Sequence, residues 1–388
     1  MRFDAIRDLL RADIAAGLIP GAVVLVAQGG RTVWETAEGR RSPAGNDPMP
    51  ANAIFRIYSM TKPVTAAGAL LLVDRGDLDL NAPVRSILPA FSPPGVRRSD
   101  RIEPLLREPT VEDLLCHCAG LAYGDRSGDP RVRAQARSLG LGVNPRSLTS
   151  QQFIERLGAQ PLSSQPGSVW EYGNASEVLG IVIETVSGQR LGDYLARCLF
   201  EPLAMNDTSF WVSQRNAGRV AEPFPADPAT GQPISIPAQS FPAFVPPEMD
   251  VGGAGLLSTA DDYMKFIRWL ARSRDRDGIP PLSCALARRM TTDQLRGRGG
   301  APLDPGQASM QSPGYGYGFG VGVRLAGTVA NLPGSPGEFF WAGTAGTAFW
   351  MDPTNDLSVV FMAQAPGDIR LRYRRKLREL VYGNPNFP

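Results

Sequence analysis

Three lysines occur in the chain, Lys62, Lys265 and Lys376, and only Lys62 has a serine three residues before it. The motif is Ser59-Met60-Thr61-Lys62. Residues three apart share a helix face, so this hydroxyl and this amine can meet. Pro63 is tolerated only in a first helical turn, which places Ser59 at the helix start, where exposed N–H groups favour developing negative charge. A serine hydroxyl is a poor nucleophile until a base takes its proton. An amine can take it once burial or a neighbouring cation weakens its own hold on protons. The competing explanation for so short a motif is a capping serine beside an ordinary lysine.

Two further stretches decide between these. Trp170-Glu171-Tyr172-Gly173-Asn174 sets a phenol and an amide two residues apart just before a helix. A phenol next to a lysine amine can share its proton traffic, so Tyr172 is a second candidate base. Phe340-Trp341-Ala342-Gly343-Thr344-Ala345-Gly346 runs from one strand toward the next, and its glycines allow close approach of an acyl group. The Thr344 N–H can join the Ser59 N–H as an oxyanion hole. A Ser-His-Asp triad would have to use His117, the sole histidine, and the Gly-x-Ser-x-Gly elbow is absent. His117 therefore reads as structural. Cys116-His117-Cys118 is at most half a zinc site, with Cys198 and Cys284 distant and no second histidine, so no metal is expected.

Composition bounds the partners. The 388 residues are 43% hydrophobic and 20% charged, enough for a large core. Forty basic against 38 acidic residues leave a formal charge of +2, which offers no general attraction to nucleic acid or anionic membrane. A small uncharged or mixed substrate fits better. The first residues, Met1 to Asp8, carry acids and no apolar signal core. The longest apolar runs, Ala22 to Ala27 and Ala66 to Val73, fall far short of the ~20 residues that cross a bilayer. These features predict a cytoplasmic protein with reduced thiols.

The elements that must position Ser59 and its partners follow from periodicity. Phe3, Ile6, Leu10 and Ile14 have helical spacing; Ala22 to Ala27 and Arg31 to Glu38 flank Gln28-Gly29-Gly30 as a hairpin. Ser59 to Arg75 reads as a buried helix closed by Gly76. From about Pro83 to Pro281 short helices (Thr110 to Cys116, Ser150 to Leu157, Asn174 to Val186, Leu191 to Phe200) alternate with Pro/Gly loops. The Pro-rich loop Ala221 to Met249 is expected to cover or rim something, and a capped helix restarts at Ser258. Strands are predicted over Tyr315 to Leu325, Phe339 to Trp341, Thr347 to Met351 and Leu357 to Ala363. Tyr315, Tyr317 and Phe319 alternate with glycines and read as sheet packing more than as pocket lining. The last helix has an apolar stripe at Ile369, Tyr373, Leu377 and Leu380, so its run Arg370, Arg372, Arg374, Arg375, Lys376 and Arg378 is taken as a solvated face. The order predicts an α/β (α+β) architecture: residues 1–85 with 310–388 as one sandwich domain and 86–309 as an inserted, mostly helical domain.

At this point the chain resembles the serine β-lactamase and penicillin-binding-protein superfamily, and within it the class C-like family VIII carboxylesterases. The resemblance is carried by Tyr58-Ser59-Met60-Thr61-Lys62-Pro63, Leu114 to Leu121, Tyr172-Gly173-Asn174, Gly252 to Leu256, Trp341-Ala342-Gly343 and Phe349 to Pro353, in that order. It implies an antiparallel sheet flanked by helices, a site between the domains and an acyl-Ser59 intermediate. Lys62 and Tyr172 would share the proton, and Trp341, Gly343 and Asn174 are candidate substrate contacts; Tyr123, just after the Gly120-Leu121 loop, is a candidate for pocket lining, with sheet core as its alternative. No cofactor is implied. Where β-lactamases typically have Lys-Thr-Gly, this chain has Trp341-Ala342-Gly343, close to the Trp-Gly-Gly of the similar esterases. An indole there offers an apolar wall in place of a carboxylate anchor, so neutral esters with short to medium acyl chains are the expected substrates. The alternatives are a β-lactamase, D-aminopeptidase, amidase or acyltransferase on the same fold, or a catalytically silent binding protein.

Overall fold

The computed structural model describes residues 3–99, 101–127, 129–224, 241–274, 282–295, 314–327, 330, 332–365 and 367–383. Its strands are β1 Gly21–Gln28, β2 Arg31–Gly39, β3 Phe55–Arg56, β4 Val96–Arg98, β5 Arg101–Glu103, β6 Leu257–Ser258, β7 Tyr315–Tyr317, β8 Gly322–Arg324, β9 Phe339–Ala342, β10 Ala348–Asp352 and β11 Leu357–Ala363. Its helices are α1 Asp4–Ala15, α2 Thr61–Asp74, α3 Val84–Ile87, α4 Val111–Leu115, α5 Pro130–Ser138, α6 Ser150–Gly158, α7 Ala175–Ser187, α8 Leu191–Leu195, α9 Ala260–Ser273, α10 Cys284–Met290 and α11 Ile369–Tyr382.

Seven strands form one sheet in the order β2-β1-β11-β10-β9-β8-β7, and every pairing in it is antiparallel. Gly29 and Gly30 both have positive φ, as the two-residue turn between β1 and β2 requires. Because side chains alternate across a strand, β1 sends Val23, Leu25 and Ala27 to one face and Ala22, Val24 and Val26 to the other, all buried. The second face is covered by α1 through Ile6 and Leu10 and by α11 through Tyr373, Leu377 and Val381. On the first face α9 lies against β1 and β11, although its residues belong to the middle of the chain. The helix α2 is buried from Thr61 to Leu72 and packs on α7, which explains why it is apolar all round.

Three expectations need correction. Tyr315 to Leu325 is not one strand: β7 and β8 form a hairpin, with Gly318 N donating to Val321 O and Gly320 at φ +79. A Cβ on Gly320 would press on Ala66 Cβ at 3.0 Å and on the Lys62 carbonyl at 3.1 Å, so the turn is fitted against α2. The basic run of α11 is a solvated face only in part, at Arg375 and Lys376. Arg372 pairs with Asp13, Arg374 bonds the Gly343 carbonyl at 3.0 Å, and Arg378 is buried against Glu338 at 2.7 Å. A run of one charge on a two-layered helix can serve the core when the opposite layer supplies carboxylates or carbonyls, and sequence alone does not show that layer. The helix expected from Ser59 begins at Thr61, after a 3-10 turn from Tyr58 to Met60. The loop Ala221 to Met249 lies largely outside the described residues, which omit 225–240.

Candidate active site

Ser59 sits in the middle of the 3-10 turn and keeps 8% of its surface exposed. Tyr58, just before it, holds φ +44, a left-handed conformation that costs a bulky residue about 1–3 kcal/mol and persists only where surroundings impose it. Those surroundings are visible. Ile57 N donates to Leu256 O at 3.0 Å, Leu256 N to Thr61 Oγ1 at 3.1 Å, and Tyr263 Oη to Met60 O at 2.8 Å. Tyr58 itself packs edge-on against Phe241. The backbone around Ser59 is thus clamped between the Gly252–Leu256 segment and α9.

Lys62, one turn on, is fully buried. Its Nζ donates to the Gly253 carbonyl at 2.7 Å and to Tyr123 Oη at 3.1 Å, and it lies 4.6 Å from the centre of the Tyr172 ring. Tyr123 Oη in turn donates to Glu177 Oε1 at 3.2 Å. The structure therefore brings Lys62, Tyr172 and Tyr123 together beside the turn that carries Ser59. Tyr172 is placed by a backbone bridge between Ala122 and Gly173, where any Cβ on Gly173 would overlap the Leu121 carbonyl. Asn174 is buried, with its N–H on Leu121 O at 2.8 Å and its Oδ1 without a partner among the described residues. Tyr123, Tyr172 and Asn174 also line a cavity of about 820 Å³ whose apolar wall includes Leu121, Leu141 and Leu162.

The third segment closes the site from the sheet. Trp341, on β9, packs against Tyr172 at 5.6 Å and Tyr317 at 5.3 Å between ring centres. Gly343 lies on the Ile57 carbonyl, 2.5 Å from where its Cβ would stand, and Thr347 Oγ1 donates to the same carbonyl at 3.3 Å. This contact joins the end of β9 to the turn of Ser59, with Thr344 next along the chain. His117 lies behind Tyr172, 4.9 Å between ring centres, fully enclosed with Trp170 and Tyr317 around it. Burial, followed by the charge of Lys62, holds its imidazole well below the usual histidine range, so it is neutral. Tyr315 and Phe319 are buried in packing.

Sequence reasoning missed Glu177, the Gly253 carbonyl and Arg374. The first had a faint signal, an acid in the first turn of α7 just before the apolar stretch Val178 to Ile183; a carbonyl carries none, since any residue type supplies it.

A family model described as Beta-lactamase matches residues 6–383. Esterase EstB of Burkholderia gladioli is 32% identical, covering 88% of this chain and 85% of its own length. A lovastatin esterase of Penicillium rubens is 28% identical over 96% of each protein. The solved structure of EstCE1, a hydrolase with promiscuous acyltransferase activity, superposes with a TM-score of 0.80 at 26% identity and covers 98% of both chains. The chain belongs to the beta-lactamase family and, within it, to the family VIII esterases. It is a serine hydrolase on a sheet flanked by helices, and among the described residues no helix is long and apolar enough to cross a membrane.

Proposed function

We propose that the protein hydrolyses neutral carboxylic esters with short to medium acyl chains, with Ser59 as nucleophile and Lys62 and Tyr172 as the proton-handling pair. The observation that carries this reading is Lys62: a fully buried amine held by one carbonyl and one hydroxyl and set against the Tyr172 ring. As a neutral amine Lys62 has two N–H donors and one lone pair; the Gly253 and Tyr123 oxygens engage the donors, leaving the lone pair to take the proton of the Ser59 hydroxyl directly or through the Tyr172 phenol. In acylation the Ser59 oxygen attacks the ester carbonyl while its proton passes to this pair. The Ser59 and Thr344 N–H groups receive the oxyanion, and the pair then protonates the departing alkoxide. Water repeats the sequence on the acyl-Ser59 ester.

Trp341, Gly343, Asn174 and Tyr123 are read as substrate contacts, the indole as the wall that favours neutral groups. The division into residues 1–85 plus 310–388 and 86–309 is supported by a sheet drawn from both chain ends, whereas α9, which this division assigns to the insert, packs on that sheet. The cytoplasmic reading rests on the four cysteines, too few and too scattered for a disulfide framework. Acyl transfer to an alcohol is the second reading, favoured by the promiscuous acyltransferase activity of EstCE1. A panel of p-nitrophenyl esters, nitrocefin and D-alanyl amides, each with and without added alcohol, tests both. Esters should turn over fastest, and a preference for amides or β-lactams would refute the substrate reading.

A further inference from the structure

Of the five arginines on α11, Arg372 pairs with Asp13 and Arg378 with Glu338 on neighbouring elements, while the exposed Arg375 pairs with Glu379 of its own helix. Arg374 has no carboxylate partner among the described residues. Although the residue as a whole keeps some exposure, its Nε is sealed from solvent without a partner among the described residues. Burial, and then the like charge of Arg370, lower its pKa to about 10, so it remains a cation at neutral pH. An enclosed cation without a counter-ion is costly to fold around, and stability alone gives no reason to keep it.

Its one hydrogen bond among the described residues shows what it acts on. Arg374 Nη2 donates to the Gly343 carbonyl at 3.0 Å, and Arg370 Nη1 donates to the next carbonyl, Thr344, at 3.3 Å. In a planar trans peptide the carbonyl and the following N–H point in opposite directions. An arginine fixed on the Gly343 carbonyl therefore turns the Thr344 N–H away from α11. A cation on the carbonyl oxygen also polarises the peptide and makes its N–H a stronger donor. On the other side of the same segment, Gly343 N is held by Thr347 O at 2.8 Å and the glycine lies on the Ile57 carbonyl, two residues before Ser59.

We propose that Arg374 is a positioning residue of the oxyanion hole, orienting and polarising the Gly343–Thr344 peptide from the sheet face opposite the substrate. This rests on the reading that the Thr344 N–H receives the oxyanion. Arg374 touches no reacting atom; it acts through the peptide, and Arg370 steadies the following carbonyl.

The test compares a transition-state mimic with a ground-state mimic. Butaneboronic acid bonds its boron to the Ser59 oxygen and becomes a tetrahedral anion, whereas butyramide binds without reacting. In Arg374→Met, kcat/KM for p-nitrophenyl butyrate should fall about tenfold or more, and the boronate Ki should rise by the same factor. The butyramide Ki should stay within about twofold, and Arg374→Lys, which keeps the cation, should recover most of the loss. Kinetics of Arg374→Met within about twofold of the parent enzyme, or equal weakening of boronate and amide, would overturn the proposal. If Arg374→Met does not fold, Arg374→Ala likewise removes both the donor and the charge, and an unchanged boronate Ki in that folded variant overturns it equally. Failure of the esterase reading looks different: the parent enzyme itself would neither bind the boronate nor turn over the ester.

Discussion

Lys62 Nζ reaches across 191 residues of chain to the Gly253 carbonyl at 2.7 Å, and Gly253 is a glycine because a Cβ there would overlap the Glu177 carboxylate. Backbone thus orients the amine, while the acid stands one tyrosine away, bonded to Tyr123 and not counted among the amine's direct acceptors. A lysine in direct contact with a carboxylate would hold its proton more tightly and serve less well as a base.

Gly253→Ala should therefore act on catalysis through Glu177. The added methyl displaces a buried carboxylate, which drags the Tyr123 hydroxyl and with it the Lys62 amine. Expected is a fall in kcat of about 10- to 100-fold, in the range for a misplaced base, with a smaller change in KM. Steady-state kinetics on p-nitrophenyl butyrate measure it.

Tyr123→Phe removes the hydroxyl that accepts from Lys62 and donates to Glu177 without changing the ring's packing on Tyr172. Leaving two buried polar groups short of a partner should cost about 1–3 kcal/mol in a denaturant unfolding curve. Activity should drop as well, and a variant with unchanged stability would show that this chain of bonds is not maintained.

Trp341→Lys restores a cation where the similar β-lactamases carry one. Trp341 is buried against Tyr172 and Tyr317, so the change also opens space beside the phenol. The ratio of nitrocefin to p-nitrophenyl butyrate turnover should rise, because an ionised substrate gains an anchor and a neutral acyl group loses its wall. An unchanged ratio would separate Trp341 from substrate choice.

His117 makes a prediction about pH. Its folded-state pKa is depressed by burial and by Lys62, while the unfolded chain titrates at the ordinary value near 6.5. Below that pH the unfolded state takes up a proton that the folded state refuses, so stability falls as pH drops, by up to about 1.4 kcal/mol per unit. Thermal unfolding of His117→Phe should lose less between pH 6.5 and 5 than the parent does. Parallel curves would mean that other groups set the acid limit.

Much of the frame was legible because it is written in periodicity. The β1–β2 hairpin, α2, α7, α9 and β9 to β11 stand within a residue or two of where hydrophobic spacing and turn residues put them. That Ser59 and Lys62 stand one turn apart at a helix start was legible from one spacing, and their roles are what is proposed. What stayed hidden was set by partners distant in sequence. Arg374 and Arg378 look solvated until β9 and Glu338 are placed beneath them, and the break at Gly318 to Val321 appears only once α2 fills the space beside Gly320. The Gly253 carbonyl is invisible to any reading of side chains.

The most direct measurement is the intact mass of the protein after incubation with a fluorophosphonate, followed by peptide mapping, on the parent enzyme, Ser59→Ala and Lys62→Ala. One adduct on the peptide containing Ser59 is expected in the parent, none in Ser59→Ala, and an adduct forming at least about a hundredfold more slowly in Lys62→Ala. An adduct at another residue, or parent-like labelling of Lys62→Ala, would contradict the assignment of Ser59 and its amine.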